Sequence, residues 1–396
     1  MSLLETILKA LENQESFSST SEHSLILDAD DAFLKLHPKF ELSSLDALAI
    51  PVTGWELSSR DSQIIELGKK FSIKVQRKLK TKGFGRDEFL EILIPFLDKI
   101  RQIFGISLGT NNQCDTEILV LLQKVGSLIG RDALRLVLEA SVKLELWDFV
   151  EVLIVNDLID HSCYPFLLAN VLDKQRSDLV CLAVKHASDF REAELLSVLK
   201  YFLCPKKDAF DSMMDIRKEW QRQAKMAIGI VRDDNLKDKK TCIAKDASIL
   251  LMVAHDGFST WELCLHYLVA TQSIDDVILS SCIRKLNGKE LMNLVRYFGK
   301  WLRKYENFPQ AIPCPKAAPL LNLKECDWVP KLVDVIRWVA LVLDESFTTV
   351  VLHSEFHEEL RAMTTLVETL AWEAKQFCFF SNVIESLRTQ VRSEQV

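Results

Sequence analysis

The feature that most constrains this chain is the recurrence, from residue 87 onward, of apolar stripes 10–15 residues long separated by short polar turns. The stripes fall at 87–104, 115–129, 131–143, 146–158, 164–173, 177–186, 192–203, 245–254, 258–270 and 275–285. Within each, apolar residues recur at the three- and four-residue spacing of one helix face, not at the alternation of a half-buried strand. "WDFVEVLIVNDLI" begins at Trp147 and "SDLVCLAVKHASDF" at Ser177, each followed by another short stripe. A helix pair every ~30–45 residues is the period of an α-solenoid. No residue-level repeat signature accompanies it. The spacing therefore predicts an all-α, solenoid-like array of helical hairpins.

Composition agrees. Among 396 residues there are 12 glycines and 10 prolines, too few for many short strands with tight turns. Apolar residues make up 48% and charged residues 27%, enough to build a large core. The ten cysteines are scattered and none forms C-x-x-C. That excludes a zinc-knuckle pattern and predicts reduced, mostly buried thiols in the cytosol or nucleus. "MSLLETILKALENQ" reads as an amphipathic helix and not as a signal peptide, and no run reaches the ~18 apolar residues of a membrane span.

Five segments follow. Residues 1–60 hold a short helix and a serine-rich, irregular stretch; a helix starts near Ser59, with Ile64, Ile65, Leu67, Phe71 and Val75 as its stripe. Residues 61–204 form a first helical array and 205–306 a second. The second contains a helix over 211–230 and a charged loop near 231–240. Residues 307–330 carry Pro309, Pro313, Pro315, Pro319 and Pro330, which exclude a continuous helix. Their apolar content predicts a loop laid against the helices. Residues 331–396 form a C-terminal hairpin and a long helix, with Leu360, Met363, Leu366, Leu370, Phe377, Ile384 and Leu387 in near-helical register.

In the hairpin, Val335–Leu343 is apolar almost all round and predicts a centrally covered helix. Asp344–Ser346 reads as a turn, after which the β-branched run Phe347–Leu352 comes back. Trp147, Trp220, Trp261, Trp301 and Trp338 fall on apolar stripes and are assigned to cores.

Chemistry is sparse. His353 and His357 form H-x3-H without the glutamate placement or third ligand of a zinc motif, so a solvated helix face is expected there. No glycine cluster has phosphate-loop spacing and no G-x-S-x-G is present. No catalytic residue, metal, cofactor, small-molecule substrate or membrane partner is expected. One segment departs from the background. Residues 69–86 hold eight basic residues and no acidic one, while the rest of the chain holds 41 basic against 56 acidic. Lys69, Lys70, Lys74, Arg77, Lys78, Lys80, Lys82 and Arg86 are the candidate contacts for RNA or an acidic partner, with Phe71 and Phe84 as candidate base-stacking rings. A solvated face or a nuclear targeting patch fits the same charges.

"LMNLVRYFGKWLRKY" (291–305), a proline-containing spacer and "VIRWVALVLDESFTTVVLHSEFHEELRAM" (335–363) resemble the C-terminal region of the nucleolar protein eleven family. There a Leu-rich helix precedes a hairpin of the type W-x-x-x-L-L-D-x-x-F-T-x-V-V. The matching positions are Trp338, Val342, Leu343, Asp344, Phe347, Thr348, Val350 and Val351, within a stretch of about 291–370. Members of that family pair a β-propeller with a helical C-terminal half. No propeller-like succession of strands precedes residue 60, so the resemblance bears on the helical half. It implies a non-enzymatic scaffold of the early small-subunit processome, acting in the nucleolus in pre-rRNA transcription and 18S rRNA processing. Its partners would be propeller and helical-repeat subunits, with pre-rRNA as a further one. Trp338, Leu343, Asp344, Phe347, Thr348, Val350 and Val351 would form the docking hairpin. The rival expectations are a helical-repeat adaptor in membrane trafficking or proteostasis, and an enzyme or enzyme regulator, which needs a clustered polar pocket.

Overall fold

The computed structural model describes residues 59–81, 83–106, 114–187, 189–232 and 238–394. The expected N-terminal helix and serine-rich linker lie outside them. The described residues are helical throughout, with no strand. The helices are α1 (Ser59–Leu79), α2 (Arg86–Phe104), α3 (Cys114–Val125), α4 (Arg131–Lys143), α5 (Trp147–Val155), α6 (Tyr164–Asp173), α7 (Ser177–His186), α8 (Glu192–Leu203), α9 (Phe210–Val231), α10 (Asp238–His255), α11 (Thr260–Ala270), α12 (Asp276–Arg284), α13 (Gly288–Asn307), α14 (Ala317–Leu321), α15 (Leu332–Leu352) and α16 (His357–Glu394).

From α3 to α9 each helix packs on the next but one, so that α3, α5, α7 and α9 stack in one layer and α4, α6 and α8 in the other, with α4 on α5 and α6 on α7 joining the layers. This is two-layer solenoid packing. It carries a repeat that the side chains hide. Glu145, Asp157 and Gln175, each two residues beyond a helix end, have φ of 56°, 53° and 54°. In each turn the following N–H reaches back five residues: Leu146 to Ser141 (2.8 Å), Leu158 to Leu153 (3.0 Å) and Arg176 to Val171 (3.1 Å). Three successive helices thus end in the same left-handed cap, which usually takes glycine. The repeat lives in backbone hydrogen bonds, which explains why no residue signature marks it.

The layers change at α9. Its hairpin partner α10 folds back along it, and α11 packs on α7, α8 and α9. The α10 helix starts at Asp238, seven residues before the apolar stripe that predicts it. Capping boxes set the next starts. In α13 the Asn287 side chain accepts from the Glu290 N–H, and the Glu290 carboxylate accepts from the Asn287 N–H, both at 2.9 Å. The C-terminal helices then gather around α13, with α15 and α16 both packed on it and α15 also on α12 and α11.

Among the described residues one core runs from Phe71 of α1 to Leu366 of α16. Trp220, Trp301 and Trp338 are buried in it, while Trp147 and Trp261 are half-buried at its margin. The α1 stripe sits one turn later than its sequence reading. Phe71, Val75 and Leu79 face inward and Leu67 is half-buried against the core, but Ile65 is exposed near the helix start. The proline-rich segment lies down as expected: Ala311, Ala317, Leu323, Cys326 and Val329 are buried, and α14 rests on α10. Of nine cysteines described, five are buried and only Cys242 and Cys378 are exposed.

The C-terminal region requires a correction. Asp344–Ser346 is not a turn. A single helix, α15, runs from Leu332 through Leu352. Neither glycine nor proline interrupts it, and β-branched residues lower helix propensity by only a few tenths of a kcal/mol each. Asp344 is exposed on the outer side, and Glu345 reaches Arg284 of the neighbouring α12, so the acidic pair lies within a helix and not at its end. The chain turns instead at His353, where φ and ψ are −100° and 113° and the N–H still reaches Thr349 O.

Candidate functional site

Two surfaces carry the residues singled out by sequence: a basic face on α1 and the outer face of α15.

On α1 the inward stripe of Phe71, Val75 and Leu79 turns the other side of the helix to solvent. Lys69, Lys70, Lys74, Arg77 and Lys78 all lie on that exposed side, and Lys80 and Arg86 are exposed just beyond it. Lys82 lies outside the described residues. Two of these cations are neutralised by acids from outside the segment. Lys70 meets Glu66 at 2.7 Å one turn back, and Lys78 meets Glu88 of α2 at 2.7 Å. Lys70 accordingly holds the Glu66 carboxyl below its ordinary value. Among the described residues Lys74, Arg77 and Lys80 make no ion pair, and they form the electropositive centre of the face. The stacking expectation fails. Phe71 is buried and stacked on Phe96 at 4.2 Å, and Phe84 packs edge-on to Phe89 at 6.2 Å. Both rings serve the α1–α2 contact, so the face offers charge without aromatic platforms.

On α15 the inner face holds Val335, Trp338, Val339, Val342, Ser346 and Val350. The outer face is open, contrary to the expectation of a helix covered on most sides. Val333 is 74% exposed, Ile336 48%, Phe347 65% and Val351 46%, with Ala340 and Asp344 between them. The intervals of three or four residues keep all six on one side. The residues expected to form a docking hairpin therefore separate into two roles. Trp338 and Val350 are core, and Leu343 is partly buried against it. Asp344, Phe347, Thr348 and Val351 face solvent. Periodicity alone could not have divided them, because α15 is apolar on both sides and only its neighbours decide which side is covered.

Other chemistry is committed internally. His357 Nε2 bonds the Val351 carbonyl at 2.7 Å across the turn, and His353 ends α15, so the two histidines share no helix face. Among the described residues no group of three His, Cys, Asp or Glu side chains is placed to hold a metal. None of the described helices is long and apolar enough to cross a membrane. An open cavity of about 240 Å³ lies between Gly257–Phe258 and the end of α13. Two of its cations are engaged: Lys300 with Glu262 at 2.8 Å and Arg303 with Glu359 at 3.2 Å.

The sequence reading missed two buried polar groups. His266, in the middle of α11, is wholly buried; one ring nitrogen meets the Tyr297 hydroxyl at 2.8 Å and the other the Ala254 carbonyl at 3.0 Å. Burial drives its pKa down to about 3. The carbonyl can only accept, so Nε2 carries the proton and Nδ1 accepts from Tyr297. Lys185 of α7 meets the buried Glu325 at 3.0 Å and lies 4.2 Å above the Tyr267 ring. The Glu325 N–H donates to the Gln223 side chain of α9 at 2.9 Å. This pins the proline-rich segment to α7 and α9. Nothing local in the sequence signals a pairing across 140 positions.

No protein-family model, curated protein or solved structure matches this chain.

Proposed function

We propose that this protein is a non-enzymatic scaffold of the early small-subunit processome, and that the outer face of α15 is where it holds another subunit. The observation that carries the reading is the uncovered apolar side of a helix whose opposite side is locked into the core. Val333, Ile336, Phe347 and Val351 are held in fixed positions by Trp338 and Val350 behind them, and large uncovered apolar faces mark sites of association. A rigid row of side chains at three- and four-residue intervals suits a helical partner, whose ridges fill such a row. The resemblance of 291–370 to the nucleolar protein eleven family supplies the setting: the nucleolus, propeller and helical-repeat partners, and pre-rRNA transcription and processing. The exposed face of α1 is the place for pre-rRNA or an acidic partner, with charge as its only means of recognition.

A tagged pull-down from nuclear extract, with and without RNase, tests this. The intact protein should recover propeller and helical-repeat processome subunits in both conditions. The variant Val333→Glu/Phe347→Glu should lose at least tenfold of that recovery with unchanged helical content and Tm, since both side chains are exposed. Recovery of coat, tether or proteasome-linked proteins instead would sink the processome reading.

A further inference from the structure

The last helix continues far beyond the helix it packs on. α16 runs antiparallel to α13: Glu359 pairs with Arg303, and Met363 lies over Gly299, where a Cβ would stand 3.6 Å from its Cγ. At that register Gly288, the first residue of α13, falls opposite Ala374. Beyond it α13 offers nothing more, yet α16 extends to Glu394, about 30 Å further at 1.5 Å per residue.

Its apolar seam does not stop where the support stops. Met363, Leu366, Leu370, Glu373, Phe377, Phe380, Ile384 and Leu387 follow one another at alternating intervals of three and four, the a and d positions of a heptad. Met363 and Leu366 are buried and Leu370 is half-buried against the core, so the first part of the seam is used. In the unsupported part Phe377 is 70% exposed, Phe380 58%, Ile384 51% and Leu387 55%. A lone helix of that composition gains nothing from holding these side chains in water. Among the described residues nothing covers them.

We propose that the exposed part of α16, from Glu373 onward, pairs with the same segment of a second copy as an antiparallel coiled coil, making this protein a dimer. Two observations select a second copy. The seam is complementary to itself when reversed: with the two-fold axis beside residue 382, Phe377 lies against Leu387 of the other copy and Phe380 against Ile384. Each of these layers then joins one ring to one aliphatic side chain. The parallel arrangement instead sets Phe against Phe in two successive layers and Glu373 against its own copy, a like-charge contact that costs stability. Second, the flanking positions Ala374, Gln376, Ser381 and Val383 are uncharged, and Arg388 falls beside Ala374 of the other copy, so the flanks do not repel an identical helix.

The test is the molar mass of the intact, purified chain by light scattering across micromolar concentrations. The wild type should give about twice 45.3 kDa. Phe380→Lys/Leu387→Lys should give the monomer mass while still unfolding cooperatively, with only the Tm gained from association lost, because neither side chain contributes to the core. In a Cys378→Ser background, Ser381→Cys should form an intermolecular disulfide, since those flanking positions meet only in the antiparallel arrangement. A monomeric wild type, or a Lys variant that stays dimeric, would overturn the proposal. A dimer that resists cross-linking at residue 381 would overturn its antiparallel form. The outcome is independent of the processome reading, which rests on α15 and extract partners.

Discussion

At the scale of single residues, His266 shows how burial fixes a charge state. Its ring is held neutral between a donor hydroxyl and an acceptor carbonyl, with Phe258 and Trp301 rings 4.7 and 4.9 Å away. The folded pKa lies far below that of a solvated histidine. Between pH 6.5 and about 3 the unfolded chain therefore takes up a proton that the folded chain refuses. The stabilisation is complete above pH 6.5 and declines as pH falls, by about 1.4 kcal/mol per pH unit for one such group. His186 and His255, also lowered by burial, add to the same slope. Urea unfolding at pH 6.5 and 5.0 should show this loss, and His266→Gln should be less stable at pH 6.5 but lose less between the two. An equal loss in the variant would exclude His266 as a source. None of this is legible in the sequence. A lone histidine in "LCLHYLVA" looks like any other position on an apolar stripe, and its partners come from two other helices.

Among the elements, the contrast between α15 and its sequence reading is instructive. The stripes from 87 to 285 translate almost directly into helices, because one polar side and one apolar side define both the helix and its orientation. In α15 both sides are apolar, so the chemistry specifies a helix but not which face is covered. The β-branched run 348–351 favours a strand locally, yet α13 and α12 on one side override it. Ser346, buried on the inner face, discriminates the two arrangements. Ser346→Pro should cost about 3 kcal/mol or more, as expected for proline within a helix, measured as a shift in the urea midpoint. A proline at the tip of a turn would be nearly neutral, and such a result would restore the hairpin. The α1 face was more legible: a charge run needs no tertiary information to be exposed. What the run could not show was the neutralising effect of Glu66 and Glu88, which lie just outside it.

For the molecule as a whole, the net charge of −7 sits beside a concentrated positive face, so electrostatics separate association by location rather than by total charge. If that face meets a phosphate backbone, charge reversal at Lys74, Arg77 and Lys80 should weaken RNA binding. It should also flatten the dependence of log K on log salt by about 0.7 for each phosphate left unneutralised. An unchanged slope in a filter-binding titration would remove α1 from RNA recognition. The strap at 307–330 sets a different property of the whole. In a plain solenoid each helix needs only its neighbours, and the array assembles in order as it leaves the ribosome. Here Lys185 and Gln223 are completed by Glu325. At about 5–20 residues per second, on the order of ten seconds of synthesis separates Lys185 from its partner. For that interval the middle of the nascent array presents a lysine with no Glu325 carboxylate to meet it, and a site that a chaperone can hold until the chain is long enough to close on itself.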